Sequence, residues 1–183
     1  MEQITSRCYY LPYDTAADRP CLGYVRGDRF SMQIDGGNSP EHFLLMQKEL
    51  EKKRLPLPDM IAVTHSHWDH TYGLCAAKVP VIACDKTQEH LQAMAAWDWT
   101  ISAMEERLRT RQDILFCHEN ILKEYADPSA IRVRAADIVF HNALAVDLGG
   151  VLVELFQQEN SHADDCVIAY VPVEKVVFLG DIS

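Results

Sequence analysis

The sequence, 183 residues long, has few basic side chains and no concentrated run of them. It carries 17 lysines and arginines against 27 aspartates and glutamates, a formal net charge of −10. A protein that follows a nucleic-acid backbone needs a basic surface, and one that lies on a membrane commonly uses a basic amphipathic helix. We therefore expect neither a nucleic acid nor a membrane as a partner.

Long apolar stretches and paired cysteines are also missing. No apolar run approaches the roughly 20 residues that cross a bilayer, and residues 1–14 lack the charged and apolar regions of a secretory signal. The six cysteines are scattered without a C-x-x-C pair, which is typical of thiols in a reducing compartment. These absences predict a cytoplasmic protein.

The remaining pattern predicts one domain over residues 1–183, because 48% of the residues are hydrophobic and short apolar runs recur along the chain. Strands are expected at residues 59–64, in a meander over 138–158, and in two later runs ending near residue 181. An amphipathic helix is expected over residues 39–54. Strands at both ends with helices between them predict an α/β (α+β) fold with much antiparallel sheet.

Residues 86–130 form a helical insertion in this scheme. Leu91, Met94, Trp97, Ile101, Met104 and Leu108 recur every three or four residues, which predicts one long helix or a helical pair. The stripe is explained equally well by packing against the domain. Alternatively, the insertion overhangs a functional site and shapes a substrate cleft, or it pairs two subunits.

Three of the eight histidines fall within the stretch THSHWDH at residues 64–70. The stretch follows a short apolar run bounded by prolines, so His65 and His67 lie where a buried strand ends. Asp69 and His70 follow at once, and a short helix is expected to start at Thr71. Imidazole and carboxylate are both ligands of divalent metals, and the carboxyl ends of strands are common positions for sites. The stretch predicts a metal site.

Further ligands must come from other strand ends. His162 lies in a polar loop between two predicted strands, and Asp181 follows the apolar run KVVFLG. The glycine before Asp181 allows the backbone to approach a neighbour closely. Asp35, at the end of another predicted strand, is either a turn former or a carboxylate that orients a ligand histidine.

The segments THSHWDHTYG, DGG, SHADD and FLGD, in this order, resemble the metallo-β-lactamase superfamily of metal-dependent hydrolases. The resemblance implies an αββα sandwich with a two-metal site. It also implies His65, His67 and His162 as ligands of the first ion, Asp69 and His70 as ligands of the second, and Asp181 as the bridge. Zinc is the expected metal, as one or two ions, with iron or manganese as alternatives.

The chemistry implied by the resemblance is hydrolysis by a metal-activated water, with Asp69 as the catalytic residue that orients the water or handles its proton. The substrate would be a small ester, lactone, thioester, amide or phosphoester. One alternative is a mononuclear iron redox or persulfide-oxygenase-like relative. Another is a degenerate metal-binding module without turnover. The identity and amount of the bound metal would distinguish these three hypotheses.

The resemblance also implies one further histidine ligand well beyond Asp181, whereas the sequence ends at Ser183. We therefore expect a chain shortened at its C-terminus, without the last strand or strands and helix of the family. Such a chain would leave apolar surface near its last strand. That surface and the helical stripe are the places where a homodimer would form.

Overall fold

The short apolar runs of the sequence form two β-sheets in the computed structural model, which describes residues 1–182. The first sheet has seven strands in chain order, antiparallel from the first to the fourth and parallel from the fourth to the seventh. Its strands are β1 (Glu2–Gln3), β2 (Cys8–Leu11), β3 (Leu22–Arg26), β4 (Ser31–Ile34), β5 (Met60–Ala62), β6 (Val81–Cys84) and β7 (Ile138–Phe140).

The second sheet is antiparallel and has the order β11-β10-β9-β8. Its strands are β8 (Ala143–Asp147), β9 (Leu152–Gln157), β10 (Val167–Val171) and β11 (Val176–Phe178). The expected meander over 138–158 is therefore wrong in one respect. Strand β7 joins the first sheet beside β6, so within residues 138–158 only β8 and β9 pair with each other.

Five α-helices lie between successive strands of the first sheet. They are α1 (Pro40–Lys52), α2 (Trp68–Thr71), α3 (Asp85–Ala95), α4 (Ile101–Arg109) and α5 (Leu115–Glu124), with 3-10 turns at Tyr72–Ala76 and Pro128–Ala130. Helix α1 starts where the sequence predicts, because the Ser39 hydroxyl accepts a hydrogen bond from the His42 backbone N–H and Pro40 occupies the first turn.

The main core lies between the two sheets. Val25 and Ile34 of the first sheet belong to the same buried cluster as Val153 and Ala169 of the second. The other face of the first sheet is covered by helices, with Met46 of α1 buried in a separate cluster against β2 and β3. This packing places the carboxyl ends of β4 and β5 at one edge of the sandwich.

Two expectations about helices need correction. The turn after β5 becomes helical at Trp68, inside the histidine stretch, so Asp69 and His70 lie on α2 rather than before a helix at Thr71. The insertion forms three short helices instead of one or two, because the chain turns between α3 and α4 and again between α4 and α5.

Part of the predicted helical stripe packs inward. Leu91 and Met104 are completely buried, and Met104 belongs to the same cluster as Trp68 and Tyr72, whereas Ile101 is exposed. A homodimer through the stripe or through the surface near β11 stays a prediction. Among residues 1–182, no helix is both long and apolar enough to cross a membrane.

Candidate metal centre

The predicted ligands come from loops that leave three different strands. Strand β5 leads into the loop that carries His65 and His67, and α2 continues it with Asp69 and His70. His162 lies between β9 and β10, and Asp181 follows β11. The fold brings all six side chains to one edge of the sandwich.

Asp181 reaches this edge because Gly180 precedes it. Gly180 has a φ of +57°, and a Cβ built on it would lie 2.7 Å from the Thr64 hydroxyl. A side chain at position 180 would therefore be strained and would collide with the histidine loop. The close approach expected from the sequence is present.

Three imidazoles form the first group. His65, His67 and His162 offer nitrogens within 4.8 Å of one another, and the Nε2 atoms of His65 and His162 are 3.1 Å apart. Two nitrogens on one tetrahedral zinc ion would be about 3.4 Å apart, because each Zn–N bond is about 2.1 Å. The spacing therefore suits a shared metal ion.

A second group shares His65 with the first. His65, His70 and Asp181 also offer ligand atoms within 4.8 Å of one another. His70 Nε2 is 3.3 Å from Asp69 Oδ2 and 3.3 Å from Asp181 Oδ1. The other oxygen of Asp181 is 3.6 Å from Nε2 of His162. Asp181 therefore faces both groups.

A buried carboxylate supports the second group from behind. Asp35 Oδ1 accepts a hydrogen bond from the Thr64 backbone N–H at 2.7 Å, and Oδ2 accepts one from the Thr64 hydroxyl at 2.8 Å. Oδ2 also lies 2.8 Å from Nδ1 of His70. Asp35 matches both roles considered for it, because its backbone has a φ of +65°, as in a turn, and its carboxylate contacts a histidine that it can orient.

The charges at the site divide the histidines into two kinds. Burial, and then the nearby imidazoles, lower the pKa of His65 and of His67. Burial alone would lower the pKa of His70 as well, but nearby carboxylates outweigh it and raise that pKa well above its ordinary value. The close contact with the His70 imidazole lowers the pKa of Asp181.

Atoms at the site fit a cation. Nε2 of His70 is buried and makes no hydrogen bond among residues 1–182, although it faces two carboxylates. A buried ring nitrogen without a partner is costly unless another group occupies the space in front of it. Imidazole and carboxylate are the ligands that zinc, iron and manganese accept. The residues present therefore fit a divalent metal ion.

Two acidic residues at the site were not assigned a role from the sequence. Asp165, which is fully buried, accepts hydrogen bonds at Oδ2 from the Ser66 backbone N–H at 2.8 Å and from the Thr87 hydroxyl at 2.9 Å. It thereby fixes the backbone between His65 and His67. Its position directly before the buried run CVIAYV was the available signal.

Asp18, in the loop between β2 and β3, is the second. Burial, and then the charges of Asp69 and Asp181, raise its pKa to about 6. It therefore responds electrostatically to the acidic side of the site. Nothing in the surrounding sequence signals this, because the loop reaches the site only through the fold.

The chain matches the family model described as the metallo-beta-lactamase superfamily over residues 23–183. The chain therefore belongs to the metallo-β-lactamase superfamily. A search of the curated proteins gave no significant match.

Solved structures show the same fold at low sequence identity. A metallo-β-lactamase motif mutant from Cronobacter sakazakii is 15% identical with a TM-score of 0.64, covering 96% of this chain and 60% of that one. The FEZ-1 metallo-β-lactamase from Legionella gormanii is 15% identical with a TM-score of 0.62, covering 93% and 56%. A double mutant of the sec-alkyl sulfatase PisA1 is 17% identical with a TM-score of 0.64, covering 98% and 30%.

The predicted family and fold class are thereby confirmed. The chain spans 60% and 56% of the length of the two β-lactamases. At these identities the neighbours establish the fold and not the reaction.

Proposed function

We propose that this chain belongs to a metal-dependent hydrolase that cleaves a small ester, lactone, thioester, amide or phosphoester. The observation that carries the proposal is the convergence of two ligand groups that share His65 and face Asp181 from either side. The net charge of −10 supports a small-molecule substrate over a nucleic acid.

His65, His67 and His162 would hold one ion, and Asp69 with His70 would hold a second, with Asp181 between them. When bound, such ions polarise a carbonyl or phosphoryl oxygen and lower the pKa of a water molecule. The lowered pKa values of His65 and His67 support their assignment to the first ion, because only neutral imidazole donates a lone pair to a metal.

Asp69 would orient the attacking water and accept its proton. Its Oδ2 is near His70 Nε2, and the side chain sits on the first turn of α2, which holds the carboxylate in one direction. The side chain is largely buried, with 12% of its surface exposed, and this exposed part is where a water molecule would reach it. A carboxylate in this position is a suitable general base.

Asp35 would determine which ring nitrogen of His70 carries the proton. A carboxylate beside Nδ1 keeps the proton on that nitrogen and leaves the lone pair of Nε2 directed at the site. The buried Thr64 contacts hold Asp35 in place, so the orientation of His70 does not depend on mobile surface groups.

Metal analysis combined with a hydrolysis panel tests the proposal. Protein purified without added metal should contain zinc, manganese or iron, and His65→Ala/His67→Ala should lose it. His141→Ala is the matched control, since His141 is exposed and pairs with Asp85 away from the site. Retention of stoichiometric metal by the double variant would remove this loop from the metal site.

The same measurements separate the alternatives. A single iron ion together with persulfide oxidation and no hydrolysis would favour the redox relative. Metal binding without turnover of any ester, lactone, thioester, amide or phosphoester, also in a longer form of the protein, would favour the binding module.

A further inference from the structure

A cavity of about 320 Å³ opens beside the histidine loop. One wall is the loop itself, through His67 and Trp68, and the other walls come from the helical insertion. Met94 of α3 and Ile114 and Cys117 near the start of α5 face the same space. The volume is within the range of small-molecule pockets.

The apolar walls of this cavity are fixed by packing. The Tyr72 hydroxyl donates a hydrogen bond to the sulfur of Met94 at 3.8 Å. The guanidinium of the buried Arg107 lies over two neighbouring indoles, 4.7 Å from the ring centre of Trp97 and 4.6 Å from that of Trp99. Because this cation–π contact holds Trp97, the indole forms a firm wall rather than a mobile surface group.

The charge of the cavity disfavours anions. Among residues 1–182, no lysine or arginine lines it, whereas Asp113 does, and the lining imidazole of His90 already pairs with Asp164. Burial raises the pKa of the Cys117 thiol to about 12, so that wall is uncharged at neutral pH. A carboxylate or phosphate placed here would lose its hydration and meet no lysine or arginine.

We propose that this cavity binds an uncharged apolar substituent, an alkyl or aryl group of the substrate, and holds the bond to be cleaved beside His67. The proposal rests on the proposed hydrolase function and specifies its substrate class. The shared residue His67 carries the argument, since it belongs both to the first ligand group and to the cavity lining.

Tryptophan fluorescence tests binding independently of turnover. The three tryptophans of the chain are Trp68, Trp97 and Trp99, of which two line the cavity and the third contacts the same Arg107. Titration of the purified protein with hexan-1-ol should give a saturable fluorescence change. Hexanoate, of equal chain length but negatively charged, should bind at least about tenfold more weakly. Equal or tighter binding of hexanoate would overturn the proposal.

Matched variants on α3 locate the binding. Ala93 is exposed and lines the cavity, so Ala93→Phe should fill it and abolish hexan-1-ol binding, with the circular dichroism unchanged. Gln92→Phe adds the same ring next to it on an exposed position outside the lining and should bind normally. Unchanged binding by Ala93→Phe would exclude this cavity.

A kinetic comparison links the cavity to the reaction. The kcat/KM for p-nitrophenyl hexanoate should exceed that for the acetate by about tenfold or more, because four further methylenes are buried. Ala93→Phe should bring the ratio close to unity. The same ratio in both proteins would overturn the inference but leave the hydrolase intact. Hydrolysis of neither ester would count against the proposed function, and the fluorescence titration would then decide on the cavity alone.

Discussion

Asp35 Oδ2 lies 2.8 Å from Nδ1 of His70, and both residues are buried. The contact has a direction, because the other oxygen of Asp35 already accepts the Thr64 backbone N–H. A carboxylate has no proton to donate, so it can only accept a hydrogen bond from the Nδ1–H of His70. Once the second proton has left the ring, Nε2 on its opposite side has a lone pair for the site.

This relationship predicts the effect of Asp35→Asn. The amide oxygen must stay on the Thr64 N–H, so the amide nitrogen would face His70 Nδ1 and donate to it. The ring proton would move to Nε2 and block that nitrogen as a ligand. We expect metal affinity at the second group to fall by about 10- to 100-fold, with the first group unchanged.

Metal titrations and nitrogen NMR of the His70 ring would measure both effects. Asp59→Asn is the control, because Asp59 also accepts a backbone N–H, that of Ser31, but lies outside the site. If the second ion binds Asp35→Asn as tightly as it binds the parent protein, Asp35 does not orient His70.

Because their pKa shifts are opposite, these histidines should release different numbers of protons when the first and the second ion bind. His65 and His67 have lowered pKa values and are neutral at pH 7, whereas His70 has a raised pKa and is protonated. Binding of the first ion should release almost no proton, and the second should release about one. Calorimetric titrations in two buffers of different ionisation enthalpy would show this difference. Equal proton release in both steps would contradict it.

The same shifts predict the stability of the metal-free protein. The raised pKa of His70 adds stability that is complete below the unfolded-state value of about 6.5 and is lost as pH rises through the folded-state pKa. The lowered values of His65 and His67 work in the other direction and remove stability as pH falls below about 6.5. Melting temperatures should therefore decline on both sides of neutral pH.

Asp181→Asn should separate metal retention from turnover. Its two oxygens face His70 and His162, so the variant loses the negative charge between the groups but keeps the size of the side chain. We expect hydrolysis to fall by a factor on the order of a hundred, with metal at the first group retained. Asp147→Asn, an equal change of charge in a surface pair with Arg29, should have little effect. An unchanged rate in Asp181→Asn would remove the residue from the mechanism.

The sequence was informative wherever one local segment determined the geometry. The histidine stretch follows a buried strand directly, so its position at a sheet edge could be predicted from residues 59–70 alone. Gly180 could also be interpreted locally, because a glycine before a strand-end carboxylate permits a close approach. The same local reasoning failed at β7, whose apolar run fits either sheet and whose partner, β6, is distant in sequence.

Asp18 and the cavity could not be predicted for a related reason. Asp18 lies in the β2–β3 loop. Its pKa is raised by burial and then by the charges of Asp69 and Asp181, which are distant in the sequence. The cavity depends on turns between α3, α4 and α5 that helical periodicity does not specify. Periodicity predicted which residues pack inward, but not the angles between the helices.

The neighbouring residues Asp164 and Asp165 provide the last prediction, because only one of them is buried. Asp165→Ala would leave the Ser66 N–H without its acceptor and the Thr87 hydroxyl with only the backbone carbonyl of residue 165, at a cost of roughly 1–3 kcal/mol in unfolding free energy. The loop between His65 and His67 would loosen, and metal affinity should fall by about 10-fold or more. Asp164→Ala removes exposed contacts with His90 and Lys86 and should change stability by less than about 1 kcal/mol. Denaturant unfolding and metal titration of both variants measure the difference. Equal effects of the two substitutions would mean that the buried hydrogen bonds of Asp165 do not hold the histidine loop.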